Sequence, residues 1–154
     1  MDRYRVTVSG IVMKTAPARG DLAARMILSV YPMSDAPDIP DPRFLAGVDL
    51  FNRREFFDAH EVWEDLWHEC AGPDRRFYQA LIQAAVAAYH WERGNATGAA
   101  RLYRSGRRYM EPFRPAHLGL AVDAFWDQMA AHLAGALGDT AAASVPPPTI
   151  RLGE

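Results

Sequence analysis

Three polar side chains of one predicted helix have a spacing that suits chemistry. His60, Glu64 and His68 stand at positions i, i+4 and i+8, so they lie along one side of an α-helix. Imidazole and carboxylate groups placed together can transfer protons or bind a divalent metal. The sequence from His60 reads His-Glu-x-x-Glu, which differs from the His-Glu-x-x-His motif of zinc proteases.

The next predicted helix carries a second polar stripe, formed by Gln79, Gln83 and His90. The rest of this helix is apolar, so these groups cannot all face water. A buried polar atom without a partner costs about 1–3 kcal/mol, and we therefore expect the two stripes to face each other. The predicted polar pocket consists of His60, Glu61, Glu64, Gln79, Gln83 and His90.

Three interpretations of this pocket remain open at the level of sequence. His60, Glu64 and His90 are candidate ligands of zinc or iron, which would activate a water molecule with Glu61 as a base. This is the chemistry of a metal-dependent hydrolase. Alternatively, the pocket binds a protein partner or a small ligand without metal, or it is a closed hydrogen-bond network. We favour a small binding domain over the hydrolase, and the residues establish no cofactor.

Periodic apolar residues predict the helices that position these side chains. Asp41-Pro42 is typical of a helix start and Gly72-Pro73 of a helix end. Trp63 and Trp67 continue the apolar stripe of the second helix as structural aromatics. No charged residue occurs between Phe77 and Trp91, so we expect the third helix to be central. The sequence predicts a single all-α bundle of αα-hairpins around that buried helix, with helices near 42–52, 55–70, 74–93, 95–110 and 120–137.

Flanking segments differ in composition from the helical domain predicted for residues 42–137. We expect residues 1–41 to be an N-terminal extension that ends in a linker rich in proline and aspartate. Met33 is the predicted native start, and an ordinary N-terminus that begins at Met1 is the alternative. Residues 138–154 form an extended, proline-rich tail. We expect Ile150 and Leu152 of this tail to pack on the bundle.

Composition narrows the classes of partner and compartment. The chain has 154 residues, of which 49% are hydrophobic and 23% charged, as in a globular domain. The formal net charge of −2 argues against nucleic-acid binding, and the arginine row of Arg101, Arg104 and Arg108 predicts a solvated face. No apolar run is long enough for a membrane span. One cysteine favours a reducing, cytoplasmic compartment, and the aromatic content is compatible with a homodimer.

Two runs of sequence resemble the signatures of a prokaryotic family, domain-of-unknown-function family 309. The first is Leu50–Glu64 with Trp67, and the second is Arg76–Ala87 with His90 and Gly94-Asn95. The similarity covers roughly 44–137 and implies a multihelical fold with a buried central helix. It implies no reaction, substrate or cofactor. The residues that match the family's polar and aromatic signature are His60, Glu61, Glu64, Trp67, Gln79, Gln83 and His90, whereas Ala80 departs from its more usual glycine.

Overall fold

The computed structural model describes residues 39–153, and there the chain forms five α-helices and one short β-hairpin. The predicted all-α bundle is therefore confirmed. Most of the predicted extension, including Met33, lies outside the described residues. Within residues 39–153, no helix is long and apolar enough to cross a membrane. The elements are α1 Pro42–Asn52, α2 Phe56–Glu69, α3 Asp74–Glu92, α4 Ala96–Met110, a 3₁₀ turn Glu111–Phe113, β1 Ala116–His117, β2 Leu120–Ala121 and α5 Val122–His132.

The same backbone geometry joins α1 to α2 and α3 to α4. At the end of α3, Gly94 has φ +78°, and the Asn95 amide donates to the His90 carbonyl at 2.8 Å. This is the Schellman arrangement, in which a left-handed residue ends a helix. Arg54 holds the equivalent position after α1 with φ 64°. Asn95 then caps α4 by accepting from the Gly98 amide.

Helix α3 lies at the centre of the bundle, where α2 and α4 both pack against it. Five of its alanines are buried, and small side chains let neighbouring helices approach closely. Large aromatic residues from α1, α2 and α5 fill the remaining core, including Phe51, Trp63 and Phe125. The buried alanines are Ala80, Ala84, Ala85, Ala87 and Ala88.

Both predicted boundaries of α5 are corrected by the structure. We expected a helix over 120–137, but Leu120 belongs to β2 and the helix spans Val122–His132. Strands β1 and β2 pair antiparallel through a two-residue turn, Leu118-Gly119, in which both residues have positive φ. Such turns favour Asn-Gly or Asp-Gly, so the leucine concealed the hairpin from sequence patterns.

Gly47 of α1 provides a test of packing between α1 and α2. A Cβ atom at this position would lie 2.1 Å from Nε1 of Trp63, whose indole N–H donates to the Phe44 carbonyl. We expect Gly47→Ala to lower the free energy of unfolding by about 2 kcal/mol through overpacking, measured by urea denaturation. Gly153→Ala is the matched control, because its Cβ would meet only the Gly119 carbonyl oxygen at 3.7 Å. An unchanged stability of Gly47→Ala would contradict this packing.

His132 at the end of α5 makes stability depend on pH. Burial lowers the pKa of its imidazole, while Glu92 and the backbone of Val145 act in the opposite direction. Nε2 of His132 is buried and has no hydrogen-bond partner among residues 39–153. The folded protein therefore takes up a proton less readily than the unfolded chain does.

The free energy of unfolding should fall as the pH falls below about 6.5, the ordinary histidine pKa. His132→Phe should weaken this dependence, because it removes the buried titrating group. Urea denaturation between pH 5 and 8 would measure the effect. The control is His68→Phe at an exposed site, which should keep the dependence of the wild type. Identical pH profiles for His132→Phe and the wild type would count against this role.

Candidate functional site

The residues of the predicted polar pocket lie on α2 and α3, and their polar contacts are mostly local. The Cβ of Gln83 lies 3.3 Å from the position that a Cβ of Gly106 in α4 would occupy. Nδ1 of His90 lies 3.3 Å from Nδ2 of Asn95. Among residues 39–153, no hydrogen bond or ion pair joins His60 to Gln83 or His90.

His60 and Glu64 form a local pair on α2. Nε2 of His60 lies 3.8 Å from Oε2 of Glu64, and Nδ1 contacts the Phe57 carbonyl oxygen. Only 15% of the His60 side chain is exposed, whereas 49% of the Glu64 side chain is, so Glu64 is more open to solvent than we expected. Glu61 is exposed, and Gln79 is half-buried on α3.

The described residues give the predicted metal site no support. Within residues 39–153, no group of three or more histidine, cysteine, aspartate or glutamate side chains could hold a metal ion. His60 and Glu64 lie together as a pair, whereas the polar contact of His90 is with Asn95. Burial raises the pKa of the Cys70 thiol, which disfavours the reactive thiolate.

Two arginines at the start of α3 lie over aromatic rings. Arg75 lies over the ring of Trp67, 4.0 Å from its centroid. Arg76 instead lies over the ring of Tyr109 in α4. Cation–π contacts of this kind hold a guanidinium in place without neutralising it.

An arginine groove runs along α4, and five arginines line it. Its volume is about 1110 Å³. Within residues 39–153, none of its arginines forms an ion pair with a carboxylate, and Glu111 is the one acidic side chain that lines it. Its residues are Arg76, Arg101, Tyr103, Arg104, Arg107, Arg108 and Glu111.

Helix geometry explains how the groove tolerates its charge. Arg107 and Arg108 lie in the last turn of α4, where the helix dipole stabilises cations. Arg107 also donates to the Tyr103 hydroxyl at 3.3 Å, which positions its guanidinium. Arg104 and Arg108 are four residues apart, and like charges at this spacing repel by about 0.2–0.5 kcal/mol. A bound anion would relieve that repulsion.

A smaller cleft beside the groove shows the contrast between free and paired arginines. This cleft of about 240 Å³ lies between α4 and α5. There Arg114 forms ion pairs with Asp123 and, at 3.0 Å, with Glu111. Both carboxylates raise the pKa of Arg114. The smaller cleft is therefore largely neutralised, and the free positive charge belongs to the arginine groove.

Comparison with known proteins finds similarity to part of this chain. Residues 44–102 match the family model described as "Domain of unknown function (DUF309)". The predicted resemblance to this family is confirmed. The chain is also 35% identical over 77 residues to the Bacillus subtilis (strain 168) protein named "Uncharacterized protein YpuF". That match covers 49% of this chain and 44% of the relative. Neither description names a function.

The family match covers less of the chain than the sequence resemblance suggested. It ends at residue 102, within α4, whereas we expected similarity to about 137. All six residues of the predicted pocket lie inside the match. Four of the five groove arginines are near its end, and Arg104, Arg107 and Arg108 are beyond it. The arginine groove is therefore lined partly by residues inside the matched range and partly by residues beyond it.

Separation of the predicted pocket can be tested with a double-mutant cycle. His60→Ala and His90→Ala should affect the free energy of unfolding independently, because the two imidazoles share no partner. We expect their coupling energy to be below about 0.5 kcal/mol, measured by urea denaturation of the wild type, both single variants and the double variant. A coupling energy above about 1 kcal/mol would show that the two histidines belong to one network after all.

Proposed function

We propose that this chain is a small binding domain whose arginine groove takes a small ligand carrying several phosphate groups. The observation that carries the proposal is the set of five arginines along one groove, none of them paired with a carboxylate of residues 39–153. Guanidinium groups present forked donors that match phosphate oxygens. A phosphate-bearing ligand would supply the negative charge that the groove lacks.

The chemistry of the lining favours binding over catalysis. Arginine stays protonated at physiological pH, so it binds anions but does not act as a general base. Tyr103 is buried and bonded to Arg107, which leaves Glu111 as the remaining group for proton transfer. Because the groove presents no nucleophile paired with a base, we assign it a binding role.

The dimensions of the groove favour a small ligand. Its volume of about 1110 Å³ slightly exceeds the usual range for small-molecule sites, about 300–1,000 Å³. Arg101 and Arg108 are seven residues apart, which corresponds to about 10 Å along the helix. A chain of two or three phosphates can contact both ends. The net charge of −2 disfavours a long polyanion that extends beyond the groove. We also assign the chain to the cytoplasm, because its single cysteine suits a reducing compartment.

Replacing two arginines of the groove tests this function. Arg104→Ala with Arg108→Ala should weaken binding of inorganic tripolyphosphate by at least about tenfold, since each charged hydrogen bond contributes about 1.5–3 kcal/mol. Isothermal titration calorimetry at two salt concentrations would measure this, and affinity should fall as salt rises. Arg53→Ala is the matched control, because Arg53 lies outside the groove and pairs with Asp49.

Equal affinity of the wild type and the double variant for tripolyphosphate would contradict the proposal. A single-stranded oligonucleotide of twelve nucleotides provides the second arm of the experiment. If it bound much more tightly than tripolyphosphate, and both lost affinity in the double variant, the groove would be a nucleic-acid site. Weak binding of the oligonucleotide beside tight binding of tripolyphosphate would support the small ligand.

A further inference from the structure

The chain after α5 returns to the bundle as an extended segment with alternating burial. Pro148 and Ile150 are buried, Thr149 and Arg151 are exposed, and Leu152 is half-buried. Only 2% of Ile150 is accessible, and it belongs to the main hydrophobic core. A period of two is the pattern of an extended peptide laid on a surface. Residues 148–153 are referred to here as the tail segment.

Two amide side chains hold the backbone of the tail segment. Asn52, the last residue of α1, accepts from the Ile150 amide at 2.7 Å and donates to the Ile150 carbonyl at 2.8 Å. Gln128 of α5 makes the same pair of bonds with Thr149, at 3.0 and 3.2 Å. Each side-chain amide thus forms hydrogen bonds with both the backbone N–H and the backbone C=O of one residue. Such contacts recognise an extended backbone and are independent of its side chains.

The hairpin provides a third contact with the tail segment. Leu120 of β2 forms an antiparallel bridge with Leu152, and the Gly153 amide donates to the Gly119 carbonyl at 2.8 Å. Adding an extended segment to the edge of a strand is a general way in which proteins bind peptides. The tail groove, defined by Asn52, Gln128 and β2, therefore has the features of a peptide site.

The connection between α5 and the tail segment is solvent-exposed over residues 138–146. The tail segment is therefore joined to the bundle as a ligand would be by a tether. A short flexible tether gives an effective concentration in the millimolar range. The tail segment of a second molecule has the same sequence. It therefore competes poorly for the groove when the protein concentration is below this effective concentration. Displacement requires a partner segment that binds more tightly.

We propose that the tail groove is a peptide-binding site that its own tail segment occupies in cis. Its ligand is an extended segment of a partner protein with aliphatic side chains at two alternate positions, as Ile150 and Leu152 have here. Asn52 and Gln128 bind the backbone, and the core pocket under Ile150 selects an aliphatic residue. The tail segment occupies the groove until a stronger ligand displaces it.

Releasing the tail segment in the full chain tests this proposal. Ile150→Asp places a carboxylate in an apolar pocket, and burying a charge without a partner is costly. Amide hydrogen exchange should therefore show a released tail segment on a folded bundle. A fluorescent peptide with the wild-type sequence of residues 145–154 should bind this variant at least tenfold more tightly than the wild-type chain, measured by anisotropy. Arg151→Asp is the matched control, because Arg151 is exposed, and it should behave as the wild type.

Adding Asn52→Ala to Ile150→Asp should weaken peptide binding again by about tenfold. If circular dichroism shows that Ile150→Asp does not fold, Thr149→Pro replaces it. This change removes the backbone N–H of Thr149, which donates a hydrogen bond to Gln128. Three outcomes would overturn the proposal. The first is a released tail segment in Ile150→Asp without peptide binding, and the second is equal peptide binding by the wild type and the variant. The third is a wild-type dimer that dissociates when the tail segment is released, because that result would assign the groove to a second copy of this chain.

Discussion

The close approach of α2 and α4 to α3 is the constraint on which the rest of the structure depends. Buried alanines on α3 permit this approach, and both hairpin junctions keep the helices antiparallel. Arg54 after α1 forms an ion pair with Glu92 at the end of α3, at 2.8 Å, so the two junctions are linked. Because α3 is enclosed on both sides, polar groups on it are buried beside one neighbour or the other, where an unpaired atom is costly. Oε1 of Gln83 is such an atom, since it is buried and has no hydrogen-bond partner among residues 39–153.

Helix ends and the central position of α3 were predictable from the sequence because they depend on local chemistry. Asp41 accepts from the Arg43 amide at the start of α1, and Asn95 caps α4. The absence of charge between Phe77 and Trp91 correctly predicted burial on several sides. By contrast, the hairpin around Leu118 was missed, since its turn lacks the asparagine or aspartate that usually indicates one.

The candidate site was harder to predict, because a helix that is apolar on most faces does not reveal which neighbour each face meets. Gln83 could have faced α2 as well as α4, and only the structure places its Cβ beside Gly106 of α4. The arginine groove was difficult to predict for a different reason. Their spacing was visible on α4, but Arg76 comes from α3, and only the fold shows that all five line one groove. Net charge for the whole chain concealed this local concentration.

The contact between Asn52 and Ile150 has a consequence for biosynthesis. These residues are 98 positions apart, and a ribosome adds about 5–20 residues per second. Asn52 therefore emerges roughly 5–20 s before the isoleucine that it holds. Gln128, which completes the tail groove, emerges only roughly 1–4 s before Ile150, and during that shorter interval the apolar pocket at the end of α1 is open on the nascent chain. The bundle can form before this pocket is filled, and the newly made protein passes through a stage in which chaperones and other extended chains have access to it.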